Sequence, residues 1–404
     1  MADLFEKCYQ FAHGISARGQ EYFAVRKAGV YPYFIPIQSS ADTEVVINGE
    51  KKVMIGSNNY LGLTHHPKVL EAAEIAARKY GSGCTGSRFL NGTLDIHIAL
   101  EHALAEFVGK EAALVFSTGF QVNLSTIDAL IGRRDVVFID ELNHASVRDG
   151  CRIAAGETVR FRHNDVKDLN ERLEKTDTSR GKLVVVEGIY SMEGDIAKLP
   201  GVVEVAKKHD ARVMVDDAHA MGVLGRTGAG CAEHFGVTEH VDLIMGTISK
   251  SFACIGGFVA GESAIIDYLK HEARSLVFSA AMPPSAVATV HAALEIIKSE
   301  PERREQLWKN ARKMQDGLKS MGFNTGISET PVIPVIVGED LDTFIFWKRL
   351  FDEGVFTNPV VRPGVPPGTA RLRTSYMASH TDTQLDFVLG KFDKVGKALG
   401  IIPG

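Results

Sequence analysis

No run of about 18 uncharged apolar residues occurs in the chain, which excludes a helix that spans a bilayer. Cysteine is scarce: Cys8, Cys84, Cys151, Cys231 and Cys254 are odd in number and scattered. No two of them have the spacing of a metal site, so no metal and no structural disulfide is expected, and a reducing, cytoplasmic compartment is. Positive charge is not in excess either. The formal net charge is −5, so there is no basic field to hold nucleic acid. Internal repeats and low-complexity tracts are absent. The first twenty residues contain Glu6, His13 and Arg18 and no unbroken apolar core, so a secretory leader is not expected. A peripheral contact with a membrane surface remains compatible with this composition.

What is present is an ordinary globular balance, 45% hydrophobic and 24% charged over 404 residues, enough for a large core and two domains. Residues 1–47 read as an N-terminal arm, in which Tyr31-Pro32-Tyr33-Phe34-Ile35-Pro36 cannot form a regular helix. Lys68 to Tyr80 has helical spacing and follows Pro67. From about residue 110, short apolar runs alternate with helical stretches. The runs are Ala113–Phe116, Val136–Ile139, Thr158–Phe161, Leu183–Glu187, Val213–Asp216, Asp242–Met245 and Gly257–Ala260. Leu199 to His209 reads as a crossover helix between two of them. This is the pattern of an α/β fold with a mostly parallel, seven-stranded sheet covered on both faces. Functional groups then belong at the carboxyl ends of the strands. Residues 48–285 are read as this large domain. Residues 286–404 are read as a smaller α+β domain, with helices over Ser285–Ser299 and Glu302–Met321 and strands over Thr330–Val337 and Ala370–Thr374.

The chemistry gathers at the strand ends. Asp216 closes a buried run and starts Asp216-Asp217-Ala218-His219; Lys250 follows in Gly246-Thr247-Ile248-Ser249-Lys250-Ser251. A carboxylate, an amine and hydroxyls that suit a phosphate are what pyridoxal 5′-phosphate (PLP) requires. Asp216 would keep a pyridine nitrogen protonated, His219 would bond the ring hydroxyl, and Lys250 would form the Schiff base. Taken singly, each has a plainer explanation: a capping aspartate, a packed histidine, a surface lysine. Their order and placement at strand ends lift all three. Ser117-Thr118-Gly119-Phe120 passes from strand to helix with a glycine at the turn, which is either an ordinary turn or an anion site at a helix start. His144 follows another strand and is either a loop histidine or one stacked on a cofactor ring. Arg371 and Arg373 share one face of a strand; Arg373 suits capture of an amino-acid carboxylate, or a plain salt bridge.

These segments, with Ser57-Asn58-Asn59-Tyr60-Leu61-Gly62-Leu63, Gly81-Ser82-Gly83-Cys84-Thr85-Gly86-Ser87-Arg88 and Asn143-His144-Ala145-Ser146, resemble the α-oxoamine synthases over nearly the whole chain. That family consists of fold-type I PLP enzymes that join an amino acid to an acyl-CoA with loss of CO₂. The resemblance implies Lys250 as the Schiff-base residue, Asp216 on the pyridine nitrogen, His219 on the ring hydroxyl and His144 in stacking and orientation. It implies Gly119, Phe120, Thr247 and Ser249 around the cofactor phosphate, with Ser279 reaching the phosphate from a neighbouring subunit. It implies Arg373 on the substrate carboxylate and Asn59 in the same cleft. A homodimer with active sites at the interface follows from it as well.

Within the family, Gly86-Ser87-Arg88-Phe89-Leu90-Asn91-Gly92-Thr93, Arg160-Phe161-Arg162-His163-Asn164 and Tyr190-Ser191-Met192-Glu193-Gly194-Asp195-Ile196 resemble the serine-using members. The implied reaction is L-serine with palmitoyl-CoA, giving 3-ketosphinganine, CoA and CO₂. Asp217 and Ala220 stand where relatives usually have Glu and Ser. The alternatives are a member that uses glycine or alanine with a shorter acyl donor, and a catalytically silent scaffold subunit, against which the presence of Lys250 argues. A PLP-fold transcription regulator would need a basic helix-turn-helix domain that the arm is too short to supply.

Overall fold

The computed structural model describes residues 3–404. Two helices, Glu6–Ala12 and Ala17–Lys27, precede a hairpin of β1 (Glu44–Ile47) and β2 (Glu50–Met54). Helices Pro67–Tyr80 and Asp95–Val108 lead into β3 (Ala112–Phe116), β4 (Val136–Asp140), β5 (Glu157–Phe161), β6 (Lys182–Glu187), β7 (Arg212–Asp216), β8 (Leu243–Thr247) and β9 (Gly257–Gly261), with helices between most of them. After helices Pro284–Ser299 and Pro301–Ser320 come β10 (Val332–Gly338), β11 (Val355–Phe356), β12 (Asn358–Val360) and β13 (Ala370–Ser375), and the last helix is Asp382–Ala398.

The seven runs read from the sequence form one sheet in the order β3-β9-β8-β7-β6-β4-β5. Its pairs are parallel except that β9 runs antiparallel to both β3 and β8. Successive side chains on a strand point to opposite faces, and both faces are covered here. Val184, Val186, Val213 and Val215 enter one core, while Leu183, Val185 and Met214 enter the other. This two-sided burial is why the strands are continuous β-branched runs rather than alternating ones. Register then lines up the strand ends, with Glu187 opposite Asp216 and Asp216 opposite Met245.

The C-terminal strands form a second sheet, β10-β13-β12, antiparallel throughout. Its core holds Phe346, Trp347, Tyr376 and Phe392 together with Val53 and Ile55 from the N-terminal side. A third sheet, β1-β2-β11, arises because β2 pairs in parallel with β11. The segment beyond β2 is tied in too: Ser375 N–H donates to Ile55 C=O at 2.8 Å and Ala378 N–H to Tyr60 C=O at 2.7 Å. Helix Pro284–Ser299 packs on helix Pro67–Tyr80 and sends Val287, Val290 and Leu294 into the large-sheet core. Tyr31–Pro36 is irregular, as its prolines dictate, but the arm before it is helical. Among the described residues, no helix is long and apolar enough to cross a membrane.

Candidate active site

The carboxyl ends of β3, β4, β6, β7 and β8 open into a cavity of about 550 Å³. Its wall contains Gly119, Phe120, His144, Asp216, His219, Thr247, Ser249, Lys250 and Arg373. Gly119, His144, Asp216 and Lys250 meet because parallel strands put their carboxyl ends on one edge, and Arg373 joins them from β13 of the C-terminal sheet.

Asp216 ends β7 and is 3% exposed. Its Oδ2 accepts from Asn123 Nδ2 at 2.6 Å and its Oδ1 from the Ala218 N–H at 3.0 Å. Asn123 also donates to Ser146 Oγ at 2.9 Å, and Ser146 Oγ lies 2.7 Å from His144 Nδ1. His144 and Asp216 are therefore held by one polar network. His144 faces the cavity, with Phe120 packed edge-on at 6.4 Å between ring centroids. Desolvation lowers the His144 pKa, Asp216 pulls it up, and Lys250 adds to the lowering. His219 is buried with Nδ1 2.6 Å from the Tyr60 hydroxyl, which leaves Nε2 for the cavity. Burial, then the nearby Lys250 and Arg373 charges, hold His219 well below the usual imidazole range, so it is neutral.

Lys250 stands in the wall, and its ammonium has no hydrogen-bond or ion-pair partner among the described residues. Burial depresses its pKa to about 8, against the upward pull of Asp216 and with help from Arg373. A lysine so poised is a nucleophile near neutral pH. Arg373, on β13, is 5% exposed and pairs with no carboxylate among the described residues. Its Nε donates to Ser191 C=O at 2.7 Å and its Nη1 to Asn58 Oδ1 at 3.0 Å. Its strand neighbour Arg371 is instead neutralised by Glu193 at 3.1 Å. A buried guanidinium without an anion is costly unless a ligand supplies one.

The opposite end of the cavity is built for an anion. Helix Gly119–Leu130 starts there, capped by Thr118, whose hydroxyl accepts from the Gln121 N–H. Thr247 Oγ1 and Ser249 Oγ lie 3.2 Å apart beside it. A Cβ on Gly119 would stand 2.3 Å from Thr247 Oγ1, so the glycine lets the helix start close against β8 and present its N–H groups. An anion cradle, an unpaired amine and a strand-end carboxylate together fit PLP.

Two expected residues lie elsewhere. Asn59 does not line the cavity: its side chain serves its own turn, donating to Thr64 Oγ1 at 2.8 Å and accepting from the Leu63 N–H at 3.0 Å. The neighbouring Asn58 is the one that faces Arg373. Ser279 is outside this chain's cavity, with its hydroxyl accepting from Gln121 Nε2 at 3.1 Å. The sequence reading missed Asn123, Ser146 and Ser191 as site groups, and placed Glu187 at a strand end without giving it a role. Glu187 is buried in the cavity wall and accepts the His144 backbone N–H; burial first, then Asp216, raises its pKa. Its place at the end of an apolar run was the available signal. Asp217, next to Asp216, points the other way, accepts the Cys231 N–H and has its pKa pushed up to about 8, mainly by burial.

The aminotransferase class I and II family model matches residues 50–392. The chain belongs to that family, as a fold-type I PLP-dependent acyltransferase of the α-oxoamine synthase group. Its similarity is to serine palmitoyltransferases in particular. It is 52% identical to the serine palmitoyltransferase of Sphingobacterium spiritivorum over 92% of this chain and 94% of that one. A serine palmitoyltransferase variant from S. paucimobilis, solved with a bound PLP–myriocin aldimine, matches with a TM-score of 0.95 at 40% identity, over 99% of this chain and all of that one. The 8-amino-7-oxononanoate synthase of Thermoanaerobacter pseudethanolicus is 44% identical over 94% of this chain and 96% of that one.

Proposed function

We propose that the chain condenses L-serine with a long-chain acyl-CoA, palmitoyl-CoA, releasing CoA and CO₂ and giving 3-ketosphinganine, the entry to sphingolipids. One observation carries the amino-acid half: Arg373, buried and without an anion, shares a cavity with Lys250 and Asp216. Such a guanidinium suits the carboxylate of an amino acid. The serine and palmitoyl assignments are supported by the identity to serine palmitoyltransferases.

When bound, PLP supplies an electron sink for charge that develops at the substrate Cα. The protein's share is positioning and proton traffic. Lys250 would anchor the cofactor, and its free amine, with a pKa depressed to about 8, would take the Cα proton near neutral pH. Asp216, fixed by Asn123 and the Ala218 N–H, would hold a proton on the pyridine nitrogen. His219 would bond the ring hydroxyl through Nε2. The helix start at Gly119 and Phe120, with Thr247 and Ser249, would hold the phosphate. His144, steadied by Ser146, would stack on the ring and orient the amino-acid carboxylate that Arg373 would hold.

Ser279 is assigned to the phosphate site of a second copy of the chain, in a homodimer with active sites at the interface. The division into an arm (1–47), a large domain (48–285) and a small domain (286–404) is part of the same proposal, as are a cytoplasmic location and a peripheral contact with membrane lipid. The purified protein is tested for CoA release with a panel of amino acids and thioesters. Serine with palmitoyl-CoA should exceed glycine with acetyl-CoA and alanine with pimeloyl thioesters. The reverse ranking would move the chain to the short-chain or oxononanoate branch.

A further inference from the structure

Behind the Arg373 end of the cavity lies a second buried charge cluster that the chemistry above does not use. It centres on His163, just past the end of β5. His163 Nδ1 lies 3.1 and 3.2 Å from the two carboxylate oxygens of Asp140, at the end of β4, and Nε2 lies 3.2 Å from Asp195 Oδ2. Both carboxylates are buried, Asp140 at 0% exposure. Asp195 Oδ1 has no hydrogen-bond partner among the described residues. Two buried carboxylates around one ring require that ring to be a cation.

The cluster ties down one loop. Tyr190 to Asp195 leaves the end of β6, with Tyr190 N–H donating to Asp195 C=O at 3.0 Å and Gly194 N–H to Tyr190 C=O at 2.8 Å. Ser191 and Met192 at its tip line the active cavity. Their carbonyls accept from Arg373 Nε and Arg371 Nη1 at 2.7 and 3.0 Å. At its base, Asp195 takes His163 and also Asn164 Nδ2 at 2.8 Å. Asn164 adopts φ +52°, a left-handed conformation that asparagine tolerates, and so turns its side chain onto the loop. Tyr190 stands edge-on to His163 at 4.5 Å and donates its hydroxyl to Asp140 Oδ2 at 2.9 Å.

We propose that His163 is a positioning residue for the amino-acid site: it bridges Asp140 on the sheet to Asp195 on the loop, and so fixes the Ser191 carbonyl that aims Arg373. The charges that touch it are acidic, while the cations Arg371, paired with Glu193, and Lys198 lie at the edge of the cluster. Asp140 and Glu141 approach from the end of β4, and Glu193 and Asp195 from the loop. Glu329 joins the same loop base through the Ile196 N–H. Burial opposes the ring's charge, but the two aspartates outweigh it and push the His163 pKa up to about 10. The bridge is thus charged at working pH.

The proposal rests on the carboxylate role given to Arg373, and the test separates the two. Steady-state kinetics are measured on the PLP-loaded enzyme for His163→Gln, Asp195→Asn and Arg373→Ala, with melting temperatures alongside. His163→Gln and Asp195→Asn should raise the KM for serine about tenfold, the effect of losing one charge-assisted hydrogen bond, with the KM for palmitoyl-CoA unchanged. His163→Lys, which keeps a cation, should recover part of the loss. If Arg373→Ala raises the serine KM and neither His163→Gln nor Asp195→Asn does, the positioning role is overturned while the carboxylate role stands. If Arg373→Ala leaves the serine KM unchanged, both fall. A parallel rise of both KM values with a large drop in melting temperature would mark a purely structural cluster and also overturn the role. Should His163→Gln fail to fold, Asp195→Asn carries the test, since it leaves His163 paired with Asp140.

Discussion

Gly119→Ala should weaken the hold on PLP far more than one methyl group suggests. The added Cβ would lie 2.3 Å from Thr247 Oγ1, 2.9 Å from Thr247 Cβ and 3.3 Å from Met245 Cε. Rotating the threonine side chain removes the first contact but not the second, because Cβ does not move with χ1. Relieving 2.9 Å to an ordinary 3.4 Å contact needs a backbone shift of about 0.5 Å, either of β8 or of the helix start. The helix start is already pressed onto the sheet, since Gly257, the β9 partner of Thr247, packs so closely that its own Cβ would stand 2.6 Å from Gly119 Cα. Overpacking of this kind costs about 1–3 kcal/mol. If it falls on the anion cradle, PLP affinity drops by roughly 5- to 150-fold. The assay is an absorbance titration of cofactor-free protein with PLP, beside melting curves of the cofactor-free forms. A PLP affinity within about twofold of wild type, with an unchanged melting temperature, would refute the close approach of helix and strand as the basis of the cradle.

Gly390→Ala is the opposite case: it lies inside helix Asp382–Ala398 with nothing within 4 Å of the new Cβ, so it should stabilise by about 0.5–1 kcal/mol, read as a raised melting temperature. Glu101→Ala should cost about 3–5 kcal/mol, because Glu101 holds the buried Arg88 through two oxygens at 2.8 and 3.0 Å and also accepts the Val115 N–H; chemical denaturation measures it. In cofactor-free protein the rate of PLP attachment should rise with pH through a midpoint near 8, the depressed pKa of Lys250; a stopped-flow midpoint near the ordinary lysine value of 10.5 would contradict the burial argument. His163, raised from 6.5 to about 10, contributes stability that is complete below pH 6.5, declines above it and is gone once pH passes about 10. Denaturation midpoints should therefore fall over that window more steeply in wild type than in His163→Gln.

Much of the fold was legible because the large sheet is buried on both faces. Runs such as Val213–Asp216 and Leu183–Glu187 need no partner to be recognised, and each is extended by only a residue or two in the structure. Strand order was not legible, nor was the reversed direction of β9, because both are decided by crossovers rather than by local pattern. In the site, Lys250, Asp216 and His219 could be read from strand ends and their order. Asn123 and Ser146 could not: they sit on the buried faces of helices Gly119–Leu130 and Ala145–Ile153, where they look like ordinary polar residues. The exchange of Asn59 for Asn58 turns on one backbone turn, in which Asn59 bonds to Leu63 and Thr64. Two adjacent asparagines give no sequence clue as to which faces the cleft.

The pairing of β2 with β11 bears on the order in which the protein can assemble during translation. Val53 and Val355 are partners, so one edge of the C-terminal unit is made roughly 300 residues before the rest of it. Closing a loop of that length costs roughly 5 kcal/mol in chain entropy. A nascent chain that has completed the seven-stranded sheet must therefore carry its Val53 and Ile55 side chains without their final core until synthesis is almost finished. Until then Asn58 has no Arg373 to bind, and the amino-acid end of the cavity does not exist. A ribosome stalled before β13 would present a folded cofactor platform with no substrate clamp. Two separately expressed pieces divided near residue 300 would have to dock through this borrowed strand before either could act.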